Sequence, residues 1–194
     1  GATNVVTNAG KSEYKGIEFE IIAKPIEGVT MDLNMGFVNP EYKKYETADP
    51  LTLLPFDAAN VARFGYTSQT TGAAGIQYDS KPLPSLGEGK LMARVEAIWQ
   101  SKQDFHPAIV YPSGWKDNPL IDTTTSDART IINARLALND VSIGNAPKFD
   151  VSLWAKNLFD EAYVIQGIDF GALGFAEQTY GAPRTFGLDV SVKY

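Results

Sequence analysis

Few residues in this chain are of a type and spacing that could do chemistry. There is one histidine, His106, within Asp104-Phe105-His106-Pro107. A metal site needs several ligands converging on one point, so a solitary loop histidine is expected to be solvated, and no metal is expected. Ser, His and Asp all occur, but in no order that builds a catalytic triad. No nucleophile-elbow, phosphate-loop or zinc-helix pattern is present, and the glycines Gly72, Gly75, Gly87 and Gly89 do not precede a helix that could hold a phosphate. No enzyme and no cofactor are expected. The run Asp122-Thr123-Thr124-Thr125-Ser126-Asp127 could touch a sugar or Ca²⁺, but reads first as a solvated, turn-rich loop. The residues best suited to binding are aromatic. Phe105, His106, Tyr111, Trp115 and Lys116 fall among Pro107, Pro112 and Pro119. Aromatic side chains on a stiffened loop offer stacking area at low entropic cost; the same residues could equally pack on their neighbours. Phe170 adds a further candidate in the glycine-rich stretch Gly167–Phe175, which reads as a mobile segment.

The elements that must carry these loops show period two. The chain has 194 residues, no cysteine and a formal net charge of −6. The missing cysteines remove disulfide and thiol chemistry. The acidic balance argues against nucleic acid, which needs clustered Lys and Arg. No apolar run approaches the ~20 residues of a transmembrane helix. Apolar and polar residues alternate instead, in seven segments: Ile17–Ala23, Val29–Phe37, Ala62–Tyr66, Leu91–Trp99, Ile132–Leu138, Phe149–Ala155 and Phe186–Tyr194. Successive strand side chains point to opposite faces, so each segment reads as a strand with one apolar and one wet face. The wet faces carry Glu18, Glu20, Asp32, Arg63, Arg94, Glu96, Arg135, Asp150, Lys156, Asp189 and Lys193. The last strand ends on an aromatic, Tyr194.

The connections alternate in length. Lys24–Gly28 and Asn139–Pro147 are tight, whereas Asn39–Ala59, Ser101–Ala128 and Leu158–Ala182 are long. Gln69–Gly89 breaks the alternation, although Ala73–Tyr78 within it could extend a neighbouring strand. Short turns on one rim and long loops on the other are the pattern of bacterial transmembrane barrels. Tyr14, Phe37, Tyr66, Trp99, Tyr163, Phe186 and Tyr194 fall near strand ends, as interfacial girdles do. Alternation alone fits a soluble β-sandwich just as well, since there the apolar faces meet in a core.

The terminal aromatic, the loop asymmetry and a resemblance tip the balance towards a membrane barrel. Phe186, Leu188, Val190, Val192 and Tyr194 form an apolar stripe ending on an aromatic. Upstream lie Asn157-Leu158-Phe159-Asp160 with Tyr163, and Pro183-Arg184-Thr185-Phe186-Gly187. Tyr14-Lys15-Gly16-Ile17-Glu18 opens the first strand. Together they resemble the C-terminal part of TonB-dependent outer-membrane receptors. The resemblance implies an all-β fold: an antiparallel meander forming the C-terminal third of a transmembrane β-barrel of about 22 strands, with long outer loops. Residues 1–194 would then be a partial barrel domain without its plug. The implied function is energised uptake of a scarce, bulky nutrient such as a siderophore–iron complex. The implied partners are outer-membrane lipid, the rest of the barrel and its plug, a TonB-type coupling protein acting through a region outside this chain, and the barrel-assembly machinery, for which the Phe186–Tyr194 stripe would be the signal. The other readings are a small self-contained outer-membrane barrel with a structural or adhesive role, or a soluble β-sandwich that binds a ligand.

Overall fold

A computed structural model describes residues 10–115, 120, 123–144, 146–170 and 173–193. It contains thirteen strands: β1 (Lys11–Ala23), β2 (Val29–Lys44), β3 (Glu46–Ala48), β4 (Pro55–Asp57), β5 (Thr70–Asp79), β6 (Lys90–Gln100), β7 (Gln103–Asp104), β8 (Thr125–Ser126), β9 (Arg129–Val141), β10 (Lys148–Lys156), β11 (Val164–Phe170), β12 (Phe175–Tyr180) and β13 (Thr185–Lys193). Seven of them form one sheet in the order β1-β2-β5-β6-β9-β10-β13. Each pairs antiparallel with the next, so the sheet is an uninterrupted meander. The remaining strands make two-stranded hairpins within the long connections.

The expected third strand is misplaced. Ala62, Phe64 and Tyr66 alternate correctly, but their backbone is occupied elsewhere. The Arg63 N–H donates to Ala108 O at 2.8 Å and the Tyr66 N–H to Asp104 O at 2.7 Å, both in the next long loop. Tyr66 itself has a φ of 54°, which breaks the extended run. The third strand of the sheet is β5, Thr-Thr-Gly-Ala-Ala-Gly-Ile-Gln-Tyr-Asp. Its small residues lack the β-branched and aromatic character that marks a strand. With β5 in place the length anomaly disappears. Residues 24–28, 80–89 and 142–147 make the short rim, and 45–69, 101–128 and 157–184 the long one. At the first short turn Gly28 has a φ of 82°, and a Cβ there would meet Asp79 O at 2.5 Å, so only glycine fits.

Register places the alternating apolar residues of all seven strands on one face, with Ile22, Met92, Ile98 and Ile131 left on the other. Ile21 pairs with Leu33, Leu33 with Ala74, Ala74 with Ala97 and Ala97 with Ile132. Farther along the sheet, Leu136 pairs with Leu153 and Leu153 with Leu188. Nothing among the described residues packs over this face: Ile17 is 71 %, Leu188 60 % and Phe186 80 % exposed. The largest fully buried side chains are Phe105, Thr124, Asp49 and Ser126, all outside the seven-stranded sheet and within the long connections. Among the described residues the large fully buried side chains therefore lie between the loops, with Ala137 and Val141 of β9 the buried apolar residues of the sheet.

Candidate functional site

The face opposite the apolar one is held by charges. The Arg94 guanidinium donates to both oxygens of Asp32, at 2.7 and 3.1 Å, and to Glu96 at 3.2 Å. Asp32 is on β2 and Arg94 on β6, so the pair spans β5. It can do so because Gly75 lies beneath it: a Cβ there would meet Arg94 Nη2 at 2.5 Å and Asp32 Oδ2 at 2.6 Å. Arg94 and Arg135 face each other in register, an arrangement that costs energy when the charges are left unpaired. Each turns away, Arg135 donating to Ser152 at 2.8 Å and approaching Asp189 at 3.5 Å. Asp189 also accepts from the Trp154 indole at 3.3 Å. That indole lies across Gly187, where a Cβ would be 2.4 Å from the ring. At the short rim Lys193 bridges Asp140 at 2.6 Å and Asp150 at 3.0 Å, tying the end of β13 to the β9–β10 turn.

The Asn157 and Pro183-Arg184 stretches form a clamp at the base of the third long loop. Asn157 and Asp160 both have positive φ, 50° and 57°. Buried Asn157 donates through Nδ2 to Glu161 O at 2.9 Å and Ala182 O at 3.2 Å, and its Oδ1 accepts the Glu161 N–H at 2.9 Å. Asp160 accepts the Arg184 N–H at 2.8 Å. The exit of β10 and the entry of β13 are thus fixed to each other.

The candidate loop residues separate into two groups. Phe105 is 1 % and Tyr111 6 % exposed. Phe105 packs against Tyr66 with ring centroids 5.5 Å apart, and Tyr111 meets Phe56 edge-on at 5.8 Å. His106 Nε2 lies 2.9 Å from Gly167 O, to which it donates, linking the second loop to the third. These three residues hold the loops together. Trp115 is 46 % exposed, and Phe170 stacks on Phe175 at 4.9 Å while remaining half-buried. Phe186, Leu188, Val190 and Val192 line the apolar face opposite Ala155, Leu153, Val151 and Phe149. Tyr194, Lys116, Pro119 and Asp122 lie outside the described residues. Of the expected girdle, Phe37, Trp99 and Phe186 share the apolar face. Tyr14 is on the charged face against Phe64, Tyr66 is in a loop, and Tyr163 lies under Arg129 at 4.7 Å; each is drawn off by a nearer aromatic or cationic partner.

Sequence reasoning missed Asp49. It is 1 % exposed. Its carboxylate accepts from the N–H groups of Leu51 at 2.9 Å and Thr52 at 3.2 Å, and from the Ser113 N–H at 2.8 Å and hydroxyl at 2.7 Å. Burial works against its ionisation, but these bonds outweigh burial and hold the carboxyl at about 2. The local half of this arrangement was detectable, since Asp-Pro marks a turn in which the side chain accepts from the backbone two residues on. Ser113, in a different loop, carries no such signal. Leu120 N–H donating to Asp169 at 2.7 Å adds a second tie from the second loop to the third.

No family model matches the chain, and no solved structure matches it.

Proposed function

We propose that this chain is a section of wall from a transmembrane β-barrel of a bacterial outer membrane, facing lipid with one side and a water-filled or plugged lumen with the other. The observation that carries the reading is the apolar face. It runs unbroken over seven strands and is uncovered, while the other face carries the Asp32–Arg94–Glu96, Arg135–Asp189 and Lys193–Asp140–Asp150 ion pairs. Exposed apolar patches on soluble monomers rarely exceed a few hundred Å². A sandwich would need a second sheet over this one, and the other sheets among the described residues are two-stranded hairpins in the loops. Hydrocarbon is the solvent such a face fits. Long loops confined to one rim support the same reading.

Within that class we favour a TonB-dependent receptor that takes up a scarce, bulky nutrient such as a siderophore–iron complex. The Asn157–Asp160 and Pro183–Gly187 stretches support it, as does the length of wall implied by two open edges. Among the described residues, strands β1 and β13 each pair on one side only, which favours a wider barrel of about 22 strands over a self-contained small one.

The test is site-directed spin labelling of the protein in lipid bilayers at positions 188 and 189. A label at 188 is expected to be accessible to oxygen dissolved in the hydrocarbon, and one at 189 to a water-soluble nickel chelate. If 189 proves the more lipid-exposed of the two, the assignment of faces is wrong. Uptake of a ferric siderophore that survives collapse of the proton-motive force would rule out the receptor reading while leaving the barrel intact.

A further inference from the structure

The first long loop contains the one Asp-Pro step of the chain, Asp49-Pro50. An aspartate before any other residue can close onto that residue's backbone nitrogen, giving a cyclic imide with the chain intact. Proline has no N–H to lose, so that route is shut. Cleavage remains open in acid. A carboxylate oxygen attacks the aspartate's own carbonyl carbon and closes a cyclic anhydride. The C–N bond to proline breaks, and the proline nitrogen leaves with a proton from the medium. Water then opens the anhydride to two carboxyl groups.

The fold keeps the parts of this step separate. The leaving side is open, since residues 50–54 are exposed, so acid and water reach the bond. The Asp49 carbonyl oxygen accepts the Leu53 N–H at 2.8 Å, which draws charge from the carbon to be attacked. The nucleophile is withheld. Asp49 Oδ1 accepts from the N–H groups of Leu51 and Thr52 and from the Ser113 hydroxyl, and Oδ2 accepts from the Ser113 N–H. An oxygen can attack only after giving up these donors, which costs free energy for each bond broken. Ser113 supplies a donor to each oxygen. The second loop thus guards a bond in the first.

We propose that Asp49–Pro50 is a latent self-cleavage site, silent while Ser113 holds the Asp49 carboxylate and cut in acid once the first and second loops part. The co-reactant is water, and the product is a nick at the tip of the first loop. The inference rests on the loop contact alone and does not depend on what the sheet faces.

The test is incubation of the purified protein at about pH 3, between the folded and unfolded ionisation ranges of Asp49, with and without urea. Intact-mass spectrometry follows the fragments 1–49 and 50–194. The urea-unfolded chain is expected to be cut at this step. The folded wild type is expected to be cut at least about ten-fold more slowly, the scale of one hydrogen bond to a charged group. Ser113→Ala is expected to speed cutting of the folded protein and leave the unfolded rate unchanged. Ser113→Thr, which keeps the hydroxyl, is expected to stay protected. Asp49→Glu, whose longer side chain closes a larger ring, is expected to be cut far more slowly when unfolded. The inference is overturned if the folded wild type is cut as fast as the unfolded chain, a comparison that stands even where Ser113→Ala fails to fold. It is also overturned if Ser113→Ala keeps its near-ultraviolet circular dichroism and is cut no faster than wild type, or if Asp49→Glu is cut as readily as Asp49.

Discussion

Asp49 joins two stretches of chain 64 positions apart, and its pH response follows from the bonds it accepts. Its carboxyl ionises at about 2 in the folded loop, against roughly 3.9 when unfolded. A lowered folded pKa means that protonation favours the unfolded loop. The stabilisation is therefore complete above about pH 4, and is lost as the pH falls through that range towards about 2. Asp49→Asn is expected to melt at a lower temperature than wild type at pH 7, with the gap closing as the pH approaches 2. Trp115 fluorescence, two residues from Ser113, would follow the loop. A gap that is constant across the whole range would mean the ionised carboxylate is not what holds Ser113. Only the Asp-Pro turn was legible beforehand; the tie to Ser113 was not, because Ser113 is one hydroxyl among many in a polar loop. Phe105 and Tyr111 were legible as important, but their partners were not. A loop aromatic looks the same in sequence whether it waits for a ligand or fills a gap between loops.

At the scale of elements, six of the seven strands could be read from alternation, and β5 could not. The reason is mechanical. β5 lies beneath the Asp32–Arg94 pair, so position 75 must be small. At that position the residue types that announce a strand are excluded by what its neighbours do. Gly75→Val is accordingly expected to destabilise the sheet by about 1–3 kcal/mol, as overpacking does, even though valine is the better strand former. In an Asp32→Ala, Arg94→Ala background the penalty is expected to fall below half. The temperature at which heat-modifiable gel mobility is lost would measure both. An undiminished penalty in that background would show that backbone flexibility, rather than the crossing ion pair, demands glycine. The misread segment at Ala62–Tyr66 teaches the converse. Its alternation is genuine, but a local pattern does not say which backbone will be its partner, and the second loop had the stronger claim.

For the whole molecule, the decisive quantity is how differently the two faces tolerate charge. Arg on a lipid-facing strand costs about 2–4 kcal/mol at the midplane, whereas the opposite face already accommodates Arg94 and Arg135. Val190→Arg is expected to block stable insertion, and Ser191→Arg to be tolerated far better. On the proposed reading, deleting Tyr194 is expected to lower the amount of protein reaching the outer membrane. Surface abundance and heat-modifiable mobility of the three variants check this together. Equal effects at 190 and 191, with none from the deletion, would exclude a membrane wall.

The ties among the long loops have a consequence of their own. The first is held to the second through Asp49 and through Arg63, and the second to the third through His106 and through Asp169. No one of them can lift away alone without breaking bonds to a neighbour, whereas a joint tilt leaves every tie intact. Opening the rim is therefore expected to be a joint movement rather than that of three separate flaps, and a nick in any one loop to loosen its neighbours.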